Sequence, residues 1–237
     1  MTGASPPRPI AVVSYRPWNA GLAAEVRTRT GWPTTMFTSR ADFTPNRLAA
    51  LSPRWVFVAH WSWLIPPEIH EEHEVVIFHM TDVPYGRGGS PLQNLIARGH
   101  EATVLSALRC TSEVDAGPVY LKRPLSLHGS AEEVLLRASD LMADMIVEIV
   151  EGDCAPQPQS GESVHFPRRS ASDSNLAQAR SLNEAYDLIR MLDAEGYPHA
   201  FVDVGPLRLT FRRASRRSDG IHADVRISEV QDLHPDA

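Results

Sequence analysis

Val75-Val76-Ile77-Phe78-His79-Met80-Thr81-Asp82-Val83-Pro84-Tyr85-Gly86-Arg87-Gly88-Gly89-Ser90-Pro91-Leu92-Gln93 is the stretch from which the fold of this chain is read. It opens with Val75–Phe78, a short apolar run rich in β-branched residues, which predicts a strand buried on both faces. A loop with three glycines follows, and Pro91–Ala97 then suits a helix, with Pro91 in the first turn where a missing N–H costs little. Open α/β sheets place ligands at the carboxyl ends of their strands, where this loop falls. Its glycines let a backbone approach a ligand closely. Local features leave two readings open: a ligand-binding loop, or a Gly/Pro-rich surface turn beside a core histidine. The stretch lacks the Lys-Ser/Thr ending of a P-loop, so no nucleotide phosphate cradle of that kind is expected.

On the N-terminal side, Ile10–Ser14, Thr34–Thr38 and Trp55–Ala59 read as strands. Ala20–Thr28 reads as a helix closed by Gly31-Trp32-Pro33, and Asn46–Leu51 as a helical turn. On the C-terminal side, Thr103–Leu108 and Val119–Lys122 read as further strands. Ser130 and Glu133 then form a Ser-x-x-Glu capping box. Val134, Leu135, Leu141, Met142, Met145, Ile146 and Ile149 follow, mostly on one helical face, which makes the methionines core residues. Gly152–Glu162 is rich in Pro, Gln, Ser and Gly and reads as a linker. A second capping box, Ser181 and Glu184, starts a helix to about Leu192, ended by Gly196 and Pro198. Phe201–Val204, Leu207–Phe211 and Ile221–Ile227 read as antiparallel strands. The expected architecture is α/β: a Rossmann-like, mostly parallel sheet in residues 1–152, a linker at 153–165, and a small helix-plus-β module at 166–237.

With 237 residues, 43% hydrophobic and 22% charged, the chain has the balance of a soluble globular protein with one sizeable core. A net charge of −6 argues against a protein that holds nucleic acid chiefly by a basic surface, although Arg208, Arg212, Arg213, Arg216 and Arg217 cluster near the end. Cys110 and Cys154 make neither a zinc pattern nor a disulfide framework, so a reduced, cytoplasmic protein without a metal is expected. Met1–Pro9 lacks the layout of a signal peptide, and no apolar run is long enough to span a bilayer.

A second stretch, Glu113-Val114-Asp115-Ala116-Gly117-Pro118, places an acid before a Gly-Pro turn and a strand. Together the two stretches resemble the formyltransferase family that includes methionyl-tRNA, glycinamide ribonucleotide and sugar N-formyltransferases. His79, Thr81, Pro84, Arg87, Gly88, Ser90 and Pro91 fall in register with its Asn-x-His-x-Ser-Leu-Leu-Pro, Arg-Gly and Ser/Ala-Pro pattern. Asp115, Gly117 and Pro118 match its later Asp-x-Gly-Asp/Pro. The resemblance runs from Val56 to Ile149 and resumes in Phe166-Pro167-Arg168-Arg169, Asp173, Ile189-Arg190, Tyr197-Pro198 and Ala200-Phe201. The form of the first stretch is similar to a subgroup associated with formylation of amino sugars.

The resemblance implies N10-formyltetrahydrofolate as co-substrate, a small-molecule amine as acceptor, and catalytic roles for His79 and Asp115. It puts the folate against Trp63, Leu64 and Ile65 on one side and Glu113 and Val114 on the other, with Arg87 facing an anionic group. Met80, Thr81 and Asn94 border the acceptor. One departure stands out: the family's Asn, which helps hold the formyl oxygen, falls on Ile77, with Asn94 or Thr81 as candidate replacements. The acceptor expected is the amine of a nucleotide-linked amino sugar, nucleic acid being disfavoured by the net charge. Methionyl-tRNA is the alternative acceptor, and a folate- or nucleotide-sugar-binding module without turnover is the alternative class. Sugar-modifying relatives are often dimers, so a homodimer is within the expectation.

Overall fold

In a computed structural model describing residues 8–152 and 154–230, the apolar runs read from the sequence form the centre of a six-stranded sheet. The start of the polar N-terminus, Met1–Pro7, and the end of the C-terminal module after Val230 lie outside the described residues. The elements are β1 (Ile10–Val13), α1 (Leu22–Thr30), β2 (Thr34–Phe37), α2 (Pro45–Leu51), β3 (Trp55–Val58), α3 (Pro67–His70) and β4 (Val75–His79). Then come β5 (Tyr85–Gly88), α4 (Pro91–Ala97), β6 (Ala102–Arg109), β7 (Val119–Ser126) and α5 (Ala131–Glu151). The chain ends with β8 (Val164–Phe166), α6 (Leu182–Arg190), β9 (Phe201–Val204), β10 (Leu207–Arg217) and β11 (Gly220–Glu229).

The main sheet runs β2-β1-β3-β4-β6-β7, parallel as far as β4 and antiparallel beyond it. Alternate residues of its central strands enter two separate cores, because side chains on a strand alternate between faces. Ile10, Val12, Phe57, Val76 and Phe78 pack with α5 and α4, while Ala11, Val13, Val56, Val58 and Val75 pack with Leu48 of α2 and Ile69 of α3. Both faces are covered, which is why these strands read as continuous apolar runs.

α5 starts at the expected capping box: Glu133 N donates to Ser130 Oγ at 3.3 Å and Ser130 N to the Glu133 carboxylate at 2.7 Å. Val134, Leu135, Met142, Met145, Ile146 and Ile149 are buried, so its apolar face is core, at about 1.5–3 kcal/mol for each large side chain. No helix among the described residues is long and apolar enough to cross a membrane. In α6 the box closes differently: Ser181 Oγ accepts from Glu184 N, but the Glu184 carboxylate reaches Arg180 N instead of Ser181 N.

β7 runs on to Ser126 through Pro124, which an edge strand tolerates because one side needs no ladder donor. β10 likewise passes beyond Phe211 to Arg217, with a register shift between Arg212 and Ser215. A run of arginines hides this continuation because its alternation between apolar and polar residues is lost. β9, β10 and β11 form the antiparallel sheet of the C-terminal module.

The stretch expected to be a linker lies against the main sheet. Gln157 and Val119 exchange main-chain hydrogen bonds at 2.8 and 2.7 Å, and β8 pairs in parallel with β5. Neither β5 nor β8 was expected. Both are short, and each becomes a strand only by meeting the other.

Candidate active site

β4 carries Ile77 and His79 on the same face and ends at His79. His79 Nε2 lies 2.8 Å from the carbonyl oxygen of Gly86. A carbonyl only accepts, so Nε2 bears a proton and donates it there. That leaves Nδ1 as the nitrogen facing Asp115, whose Oδ2 is 3.5 Å away. This length is an electrostatic contact, longer than a tight hydrogen bond. The two side chains are only 8% and 12% exposed.

Asp115 arrives by an indirect route. β6 runs antiparallel to β4, so its exit at Arg109 lies beside Val76, away from His79. Residues 110–118 fold back, and Gly88 N donates to Asp115 Oδ2 at 2.9 Å. Asp115 itself has φ 53°, a left-handed conformation that Asp adopts more readily than most residues. Two motif glycines are required by close approach. A Cβ on Gly117 would meet the carbonyl oxygen of Arg109 at 1.8 Å, and one on Gly88 (φ 98°) would meet that of Phe166 at 2.8 Å.

The other expected residues divide into two groups. Trp63, Leu64 and Val114 are exposed large apolar side chains, at 40%, 82% and 49%, in loops after β3 and β6. Ile65 packs partly against the second core, and Glu113 is largely exposed. Open apolar side chains of this kind suit a flat heterocycle such as a pterin. By contrast, several expected ligand contacts are engaged within the protein. The Arg87 guanidinium bonds Gln159 and Glu113. Asn94 donates to the carbonyls of Gly89, Ser90 and Pro167 and accepts from Arg98, which ties the start of α4 to the C-terminal part. Thr81 is fully buried and donates to the Gly86 carbonyl, and Met80 lies in the first core. Asn94 and Thr81 therefore hold protein carbonyls, and neither offers a free donor for a formyl oxygen. Ile77 packs partly against the second core beside Cys110. Burial, then the Asp115 carboxylate, push the Cys110 thiol up to about 11, which makes it a poor nucleophile.

Residues that motif reading passed over gather at the carboxyl ends of β1 and β3, where the parallel order reverses direction and ligands commonly bind. His60 Nδ1 accepts from Trp18 Nε1 at 2.8 Å, so its Nε2 bears the proton; that atom, Asn19 Oδ1 and Arg16 Nε are buried without partners among the described residues. Burial, then the charge of Arg16, hold His60 down at about 3. The Arg16 guanidinium lies over the rings of Tyr15, Trp18 and Tyr197. Only the side-chain pairing of Trp18 with His60 reveals this group, and spacing along the chain carries no signal of it. A separate cleft of about 950 Å³ is lined by His100, Gly129, Arg169, Asp187 and Arg190 at the seam with the C-terminal module, away from His79. The candidate reacting centre therefore rests on the convergence of His79 and Asp115, not on cavity size.

Comparison with known proteins agrees with this fold. The family described as "Methionyl-tRNA formyltransferase, C-terminal domain" matches residues 171–228. A methionyl-tRNA formyltransferase of Clavibacter sepedonicus is 30% identical over 206 residues, covering 84% of this chain and 67% of that protein. The solved structure of a methionyl-tRNA formyltransferase from Clostridium thermocellum superposes with a TM-score of 0.91 at 42% identity, covering 94% of this chain and 99% of that one. A sugar N-formyltransferase from a Shewanella species shares the fold, with a TM-score of 0.66 at 15% identity over 89% of this chain and 98% of that one. The chain spans about half the length of two further curated relatives that it matches.

Proposed function

The chain belongs to the formyltransferase family, and from that premise we propose that it transfers the formyl group of N10-formyltetrahydrofolate to an amine. The observation that carries this reading is the pair formed by His79 Nδ1 and Asp115 Oδ2 at 3.5 Å, from two separate motifs. The exposed Trp63, Leu64 and Val114 support it as a surface for the folate.

In this mechanism a neutral amine attacks the formyl carbon. The new N–C bond forms, the carbonyl oxygen gains negative charge, and the bond to N10 then breaks. Ile77 supplies no donor to that oxygen, and Asn94 and Thr81 are held by protein carbonyls. Protonated at Nδ1, His79 donates to the oxyanion while its Nε2 stays on Gly86. Asp115, oriented by Gly88 N, balances the imidazolium charge and assists removal of the amine proton, which ends on the leaving N10. No covalent intermediate with the enzyme is required.

For the acceptor, the relatives at 30% identity or more favour an aminoacyl-tRNA amine of the methionyl type over a nucleotide-linked amino sugar, reversing the order expected from net charge. The arginines of β10 and β11 support this, since the net charge of −6 is an average that a locally basic hairpin escapes. The test is release of tetrahydrofolate from N10-formyltetrahydrofolate with methionyl-tRNA, with a panel of nucleotide-linked 4-amino sugars, and with neither. Release dependent on methionyl-tRNA and abolished by His79→Ala is expected. Release dependent only on a sugar restores the first acceptor, and release from neither overturns the activity.

A further inference from the structure

We propose that Gln159 is the positioning residue that holds the two halves of the reaction site in register; its kinetic consequence rests on the formyl-transfer reading. The carboxamide joins the loop that follows His79 to the loop that carries Asp115. Gln159 Oε1 accepts from Arg87 Nε at 3.1 Å and from Arg87 Nη2 at 2.8 Å. Gln159 Nε2 donates to the carbonyl oxygens of Asp115 and Gly117, each at 2.8 Å. A primary amide has two N–H groups and an oxygen with two lone pairs, and here all four are engaged. The arrangement also fixes which way the amide points, because the flipped form would set N–H against a guanidinium and oxygen against two carbonyls.

The bond to Asp115 falls where control is needed. At φ 53° Asp115 occupies a conformation that persists only when its surroundings hold it. Gly88 N holds its carboxylate and Gln159 holds its carbonyl, so the residue is fixed at both ends. The Arg87 side of the clamp is equally well defined. Arg87 pairs in the β5–β8 ladder with His165, and its Nη1 lies 3.3 Å from Glu113, on the Asp115 loop. Gln159 itself is delivered by anchored main chain: Gln157 pairs with Val119 before it, and Val164 N donates to the Pro84 carbonyl after it. A stretch with a linker's composition thus supplies the residue that ties the two catalytic loops together.

The test compares Gln159→Ala and Gln159→Glu with Gln157→Ala, whose side chain, among the described residues, bonds only the Ala155 carbonyl. Gln159→Ala should lower kcat by about ten- to a hundredfold, the size of effect that a shift of about 1 Å in a reacting group produces. KM for N10-formyltetrahydrofolate should stay within about threefold, since the amide touches no substrate. Gln159→Glu keeps acceptors for Arg87 but loses both donations and sets a carboxylate against two carbonyls, so it should fall as far as Gln159→Ala. Gln157→Ala should match wild type. Wild-type kcat in Gln159→Glu, or a change confined to KM, would overturn the assignment. A second measurement, hydrogen exchange at the Gly88 amide, needs no turnover and should quicken by about tenfold in Gln159→Ala as Asp115 loosens. If wild-type protein transfers no formyl group yet Gly88 exchange quickens, the clamp stands and the activity falls. If neither exchange nor turnover changes, the clamp falls.

Discussion

Replacing Asp115 with Asn removes one charge and little else. Asn adopts the left-handed conformation of Asp115 about as readily, and its side-chain oxygen still accepts from Gly88 N, so the loop keeps its shape. What disappears is the attraction between the carboxylate and the protonated His79 that donates to the oxyanion. For unit charges 3.5 Å apart in an effective dielectric of about 20, that attraction is about 5 kcal/mol. The amide dipole retains part of it, leaving a loss of about 3–4 kcal/mol in the transition state, or about a hundred- to a thousandfold in kcat. The assay is tetrahydrofolate release under saturating acceptor, with the thermal midpoint measured alongside. Asp115→Asn should unfold close to wild type, whereas Asp115→Ala, which strands the Gly88 N–H and forces alanine into the left-handed region, should lose about 1–3 kcal/mol of stability as well. If Asp115→Asn keeps more than about a third of wild-type kcat, the charge of Asp115 plays no part in the reaction and the mechanism is wrong.

Other expectations follow from neighbouring features. Gly117→Ala would drive a Cβ into the Arg109 carbonyl at 1.8 Å, and urea denaturation should show a loss of about 1–3 kcal/mol, with turnover falling as Asp115 shifts. Trp63 is 40% exposed, but its ring also packs on Tyr15 and Trp61, with centroids 4.9 and 4.8 Å away, so Trp63→Ala should cost about 1–2 kcal/mol of stability while KM for the folate rises about tenfold or more; an unchanged KM would move the pterin elsewhere. His60, held at about 3 by burial and Arg16, stays neutral in the folded protein, while its unfolded form takes up a proton below about pH 6.5. Its contribution is therefore complete above pH 6.5 and is lost as pH falls toward 3, at up to about 1.4 kcal/mol per pH unit. Denaturation at pH 7, 5.5 and 4.5 should show a steeper loss for wild type than for His60→Gln, and parallel slopes would refute the assignment.

The main sheet was legible because burial on both faces writes itself as runs of Val, Ile and Phe, and both α5 and α6 announce their starts through capping serines. The two motif loops were legible because His79 and Asp115 each sit among turn residues whose geometry is local. Bonds between distant segments leave no comparable mark. Asn94 looked like a spare donor beside the loop, but in the fold it holds Pro167. Arg87 looked ready for an anion, but Gln159 and Glu113 engage it. Net charge is a weak guide to the acceptor because it sums the whole chain, whereas the arginines concentrate on one hairpin.

Local covalent geometry, apolar periodicity and cap chemistry act between residues close in the chain, and for that reason the amino-acid sequence by itself determined the strands of the six- and three-stranded sheets, the principal helices and the two motif loops. The folding back of residues 110–118, the pairing of β5 with β8 and the reach of Gln159 into both loops depend on which surfaces meet after collapse. Only the tertiary structure decided these, because a hydrogen bond between distant segments is selected by the packing that brings them together, and neither segment encodes it alone.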